Sequence, residues 1–205
     1  MTARGRLIAF EGIDGCGKST QVRRVAEARG AVATFEPGDT ELGASLRAVV
    51  LDPSIAMAPL AEVLVMAADR AQHVAQVIEP ALAAGRDVVC DRFSGSTLAY
   101  QGYGRGVALE DVRRVLEVAA GGLDPDVTVL LDCPPELAVA RRSGRSGPSG
   151  RADRFESSNA VFTAKVREGY LTIAAAQPGW RVVDATQPVE AVARDVDAAI
   201  ASVLP

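Results

Sequence analysis

The sequence predicts an α/β fold, a parallel sheet with helices packed against it, on three observations. Short apolar runs alternate with longer stretches of helical character along the whole chain. The first run, Leu7-Ile8-Ala9-Phe10, leads straight into a glycine-rich turn and then a helix-forming segment. The length, 205 residues with 48% hydrophobic, suffices for one sizeable core, so residues 1–205 read as a single domain.

Taken in order, strands are expected at 6–10, 32–36, 87–90, 127–132 and 181–184, each a short apolar run. Helices are expected at 18–28, 41–51, 59–84, 109–120, 135–142, 157–176 and 189–203. Pro59 and Pro135 suit first helical turns, where a missing N–H is harmless, and Gly30 and Gly85 suit helix exits. The helix at 59–84 is apolar almost all round, so it should be buried on two sides, one against the sheet and one against a second copy of the chain. Its polar exceptions Asp69, Arg70 and His73 share a stripe with Met66 at helical spacing. His73, the sole histidine, reads as a satisfied core residue.

Composition excludes several classes. A net charge of -4 argues against a broad nucleic-acid-binding surface. Cys16, Cys90 and Cys133 are far apart with no C-x-x-C pair, which suits a reduced cytoplasmic protein rather than a disulfide scaffold. Neither a secretory leader nor a membrane span is expected.

The chemistry starts at Gly12-Ile13-Asp14-Gly15-Cys16-Gly17-Lys18-Ser19, followed by Thr20. This G-x-x-x-x-G-K-[ST] pattern sits between an expected strand and an expected helix, the context a phosphate-cradling loop requires. Its glycines let successive amides wrap a polyphosphate. Lys18 places a compact positive charge on the β/γ-phosphates, and Ser19 offers a hydroxyl to Mg²⁺. Lys18 and Lys165 are the only lysines, so a point charge is kept here in a chain that otherwise uses arginine. Further along, residues 141–156 are rich in Gly, Ser and Arg, including Arg145, Arg151 and Arg154, and read as a mobile lid. Asp91-Arg92-Phe93 follows the third strand, and Glu36-Pro37-Gly38 the second, so both deliver polar groups to the carboxyl edge of the sheet, where ligands bind. Arg47, Ser96, Thr97, Tyr100 and Gln101 lie close by in sequence.

With these blocks in place the chain resembles the thymidylate kinases over nearly its whole length. The matching segments run from Phe10 to Gln21, over Glu36-Pro37-Gly38, from Ala68 to His73, from Asp91 to Gly102, and through Asp153-Arg154-Phe155-Glu156 and Gly169-Tyr170. The resemblance implies a P-loop NTPase three-layer fold with a five-stranded parallel sheet flanked by helices, ATP and Mg²⁺, dTMP as phosphoryl acceptor, and a homodimer. It implies that Asp14 lies near the acceptor phosphate, Mg²⁺ and the sugar, with Ser19 and Asp91 also on the metal. Arg92 would clamp the acceptor phosphate and Arg70 read the thymine edge. Tyr100 would lie against the deoxyribose, with Ser96 and Thr97 near the base and Glu36, Pro37, Arg47, Met66 and Gln101 completing the acceptor site. The phosphate loop carries no arginine, so the resemblance is to the bacterial type that catalyses from its lid, here Arg151 or Arg154. Three positions depart from the usual pattern: Phe35 where arginine is common, Asp39 where glycine is, and Met66 in place of a stacking phenylalanine.

Phosphate-to-phosphate transfer fits the inventory of cations and the lack of a Ser-His or Cys-His pair. A deoxynucleoside kinase would instead need a carboxylate base such as Glu36, and a nucleotide-binding switch would need no acceptor site at all.

Overall fold

The computed structural model describes residues 3–143 and 160–204. Five strands, β1 (Leu7–Glu11), β2 (Val32–Phe35), β3 (Val88–Asp91), β4 (Val127–Asp132) and β5 (Trp180–Asp184), form one parallel sheet in the order β2-β3-β1-β4-β5. Pairing of Phe10 and of Phe35 with Asp91 brings the ends of β1, β2 and β3 to one edge. The strands lie within a residue or so of the expected limits.

Strand β1 is the centre of the sheet, and Leu7 to Phe10 are fully buried. Because side chains alternate, Ile8 and Phe10 enter one core and Leu7 and Ala9 the other. The first core is shared with Val22 and Val25 of α1 (Lys18–Arg29), and the second with Val74, Ile78 and Leu82. Burial on this scale contributes about 1.5–3 kcal/mol for a side chain such as Phe10.

The helices α2 (Glu41–Leu51), α6 (Leu109–Ala120), α7 (Pro135–Ser143), α8 (Ala160–Ala176) and α9 (Val189–Ala201) follow the expected segments. The segment expected as one helix at 59–84 is α3 (Pro59–His73), a π-helical turn at Val74–Ile78, and α4 (Glu79–Ala83). A further helix that the sequence reading lacks follows β3: α5 (Ser94–Thr97) runs on into a π-helical stretch, Leu98–Gly104. Its glycines and hydroxyl residues are poor helix formers, and the reason for one of them is steric. A Cβ on Gly95 would come within 2.6 Å of the Trp180 ring and 2.8 Å of Glu11 Oε1.

Helix α3 has an inverted face. Glu62, Asp69, Arg70 and His73 are buried, whereas Leu60 and Leu64 are 51% and 52% exposed. Among the described residues no helix is long and apolar enough to cross a membrane.

Candidate active site

The phosphate loop leaves β1 at Glu11 and enters α1 at Lys18. Gly15 is at φ 93°, and a Cβ there would sit 2.3 Å from the Ala138 carbonyl, so only glycine fits. Gly17 caps α1 at φ 100° with no side-chain hydrogen bond, leaving the first-turn amides available to an anion. Ile13 and Cys16 point into the core, so both can offer a phosphate only their backbone. Lys18 is nearly buried, and its Nζ donates to the carbonyls of Gly12 and Ile13 at 3.0 Å each. Ser19 Oγ donates to Asp91 Oδ2 at 2.7 Å.

In front of this loop opens a cleft of 420 Å³ whose walls include Asp14, Lys18, Ser19, Asp39, Asp91 and Arg92. Phe35 also lines it, and the Arg47 guanidinium lies 5.8 Å from the Phe35 ring centre. Arg47 Nη1 donates to the Pro37 carbonyl at 2.7 Å, beside the cis Glu36–Pro37 peptide.

Arg92 joins the loop to a second cavity. Its backbone has φ 77°, and its Nη1 donates to Gly12 O, Ser96 Oγ and Tyr170 Oη at 3.0–3.1 Å. Nη2 reaches Asp14 Oδ1 at 2.6 Å, and Tyr100 Oη donates to Asp14 Oδ2 at 3.0 Å. Burial alone would push the Asp14 carboxyl up, but the charges of Arg92 and Lys18 outweigh it and hold the group well below the usual carboxylate range.

The second cavity, 80 Å³, is lined by Asp14, Glu36, Pro37, Arg47, Met66, Arg92, Ser96, Tyr100 and Gln101, together with Leu51. Of the acceptor residues expected from sequence, Arg70 and Thr97 do not reach this wall. The Arg70 guanidinium lies fully buried behind Glu36, with Nε and Nη2 on Glu36 Oε2 at 2.9 and 2.7 Å and Nη1 on Thr97 Oγ1 at 3.2 Å. His73 completes the same network through Glu36 Oε1 and Thr34, a satisfied core histidine. Glu36, His73 and Cys90 bring ligand-type atoms within 4.8 Å of one another, but Glu36 and His73 are committed to these neighbours. Asp69 Oδ1 accepts the Gly38 amide at 2.9 Å, and burial, reinforced by the nearby Glu36 charge, pushes its carboxyl up to about 6.

Two buried acids escaped sequence reading. Glu11 accepts the amides of Phe93 and Ser96, the Ser96 hydroxyl and the Tyr170 hydroxyl, and so ties β1 to α5 and α8. Burial pushes its carboxyl up, against the pull of those donors. Glu62 accepts from Gln101 Nε2 at 2.7 Å and Arg105 Nε at 3.3 Å. The cues to Glu11 were its place at a strand's carboxyl end and its inclusion in the matching segment from Phe10 to Gln21, and Glu62 had none. On the far side of the phosphate loop a third cavity, 360 Å³, is walled by Gly15, Thr20, Arg141, Arg142, Gln187 and Pro188. Arg145, Arg151 and Arg154 lie outside the described residues, as does most of the lid expected at 141–156; residues 141–143 end α7.

The family model described as thymidylate kinase matches residues 10–196. Among similar proteins are the thymidylate kinases of Nitratidesulfovibrio vulgaris, 47% identical over 97% of both chains, and of Geobacter sulfurreducens, 45% identical over 94% of both. That of Deinococcus radiodurans is 42% identical over 97% of both.

Proposed function

The chain belongs to the thymidylate kinase family, and from that premise we infer that it phosphorylates dTMP to dTDP with ATP as donor, a step of pyrimidine deoxynucleotide synthesis. One observation carries the reading in the structure. The phosphate-loop cleft and the smaller cavity share Asp14, Glu36, Arg47 and Arg92, so a donor and an acceptor phosphate bound in them would meet at one set of charged groups.

The acceptor phosphate has a second pKa of about 6 and is largely dianionic at neutral pH. It is its own nucleophile and needs no general base; what it needs is charge neutralisation and alignment. Loop amides and Lys18 take the donor phosphates, and Arg92 and Arg47 take the acceptor phosphate. Met66, Ser96 and Gln101 enclose the base, and Tyr100 lies against the sugar. Methionine is polarizable enough to cover a ring face in place of an aromatic residue. Arg70 and Thr97 act on the base from behind, through Glu36, which lines the cavity. The third cavity, next to Thr20 and Gln187, takes the nucleoside of ATP. Ser19 Oγ and the Asp91 carboxylate form a pair of hard oxygen donors, which suits Mg²⁺; they would hold it, with Asp14 close by. Bound there, Mg²⁺ would supply positive charge on the donor phosphate oxygens. Arg151 and Arg154 are assigned to the lid, as transition-state cations, from sequence.

A panel of ATP with dTMP, dUMP, dCMP, AMP or thymidine tests this reading by ADP release. We expect dTMP to be the best acceptor. Thymidine supporting release while dTMP does not would make the protein a nucleoside kinase, and release indifferent to any acceptor would make it a switch.

We also propose a cytoplasmic homodimer built on the outward face of α3, since Leu60 and Leu64 are half-exposed while the polar side of the helix is buried. Sedimentation at micromolar concentration is expected to give a dimer, and Leu64→Arg a monomer. A monomeric parent would overturn the proposal.

A further inference from the structure

Gln101 is buried, lines the acceptor cavity, and commits only half of its amide. Its Nε2 donates to Glu62 Oε1 at 2.7 Å, while its Oε1 is buried with no hydrogen-bond partner. A buried carbonyl without a donor is costly. A carboxylate can only accept, so Glu62 admits just one orientation of the amide: NH₂ toward Glu62, carbonyl away from it. Glu62 itself is fully buried on the first turn of α3, and Arg105 Nε, 3.3 Å from the same oxygen, helps fix the carboxylate in place.

We propose that Glu62 is a positioning residue for base specificity: by holding the NH₂ of Gln101 it leaves the Gln101 carbonyl to accept the ring N3–H of a thymine or uracil. Cytosine carries an unprotonated N3 at that place and meets an acceptor with an acceptor. Without Glu62 the amide is free to turn over and offer its NH₂ to cytosine instead. The discrimination thus comes from an orphaned buried polar group, which penalises a wrong partner far more than a missing methyl can. This inference rests on the reading that the cavity holds a pyrimidine base.

The test is the ratio of kcat/KM for dTMP to that for dCMP, measured in the parent, in Glu62→Met and in Glu62→Gln. Methionine keeps the volume and removes the acceptor. Glutamine can still accept from Gln101, because Arg105 favours its carbonyl on that side. We expect the ratio to fall at least about tenfold in Glu62→Met, mostly through KM, and to stay within about threefold of the parent in Glu62→Gln. Should the methionine variant not fold, Glu62→Asp withdraws the acceptor by one methylene and should move the ratio the same way. A general structural role would lower the melting temperature and slow both substrates alike. A parent-like ratio in both Glu62→Met and Glu62→Asp overturns the role of Glu62 while leaving the kinase reading intact. A parent that phosphorylates dTMP and dCMP equally overturns the base-pocket reading beneath it.

Discussion

Replacing Lys18 by methionine is expected to slow phosphoryl transfer on the order of 10³-fold or more, about 4 kcal/mol of transition-state stabilisation. The side chain is nearly buried, yet it lines the 420 Å³ cleft, and its ammonium rests on the Gly12 and Ile13 carbonyls. With a polyphosphate in the loop, that charge lies beside the oxygens on which negative charge rearranges, in a site from which water is largely removed. Methionine preserves most of the stem's packing, and both carbonyls keep another donor, Gly12 O from Arg92 Nη1 at 3.1 Å and Ile13 O from the Cys16 amide at 3.4 Å. The melting temperature should therefore change little while single-turnover rates collapse. A rate within about tenfold of the parent, only ~1.4 kcal/mol, would remove Lys18 from the chemistry.

Lys18 also illustrates what could be read from the sequence. Its position in a strand–loop–helix unit was plain from residues 7–25, because glycines and an apolar run impose that geometry locally. Helices α2 and α6 lie within their expected limits for a similarly local reason, since the Thr40 side chain caps the start of α2 and the left-handed Gly121 ends α6. The burial of Lys18 was not plain, because the carbonyls that receive its ammonium are supplied by the loop's own backbone. The helix from Ser94 was illegible because nothing local favours it. Its first turn is held by Glu11, which takes the amides of Phe93 and Ser96, and by the close approach of Trp180 to Gly95, both distant in sequence. Counting apolar residues on α3 likewise hid which side faces inward: the charged residues are the buried ones because Glu36, Gly38 and Gln101 are there to receive them. The same pairing keeps Arg70 behind the cavity wall, a position that spacing alone could not distinguish from one on it.

Arg92 should be the costliest position on the acceptor side. Its guanidinium touches Gly12 and Asp14 on the phosphate loop, Ser96 on α5, Tyr100 in the π-helical stretch and Tyr170 on α8. A planar fork with several fixed donors can hold that many elements while keeping its outer edge toward a phosphate; an ammonium cannot. Its left-handed φ of 77° is uncommon for a residue with a Cβ and costs roughly 1–2 kcal/mol, so the surroundings over-determine its place. Arg92→Ala is expected to lower kcat/KM for dTMP by about 10³-fold or more, and Arg92→Lys by about 10²-fold despite its retained charge. Arg92→Gly separates the two contributions, because glycine relieves the backbone and still lacks the fork. It should unfold at a higher temperature than the alanine variant yet be equally inactive, and guanidinium added to either should restore part of the rate. If the lysine variant instead works within about tenfold of the parent, charge alone suffices at this point and the fork geometry is structural. Partial recovery by guanidinium without recovery by lysine would mark the planar cation as the group that aligns acceptor with donor, because it is the one feature the two rescues do not share.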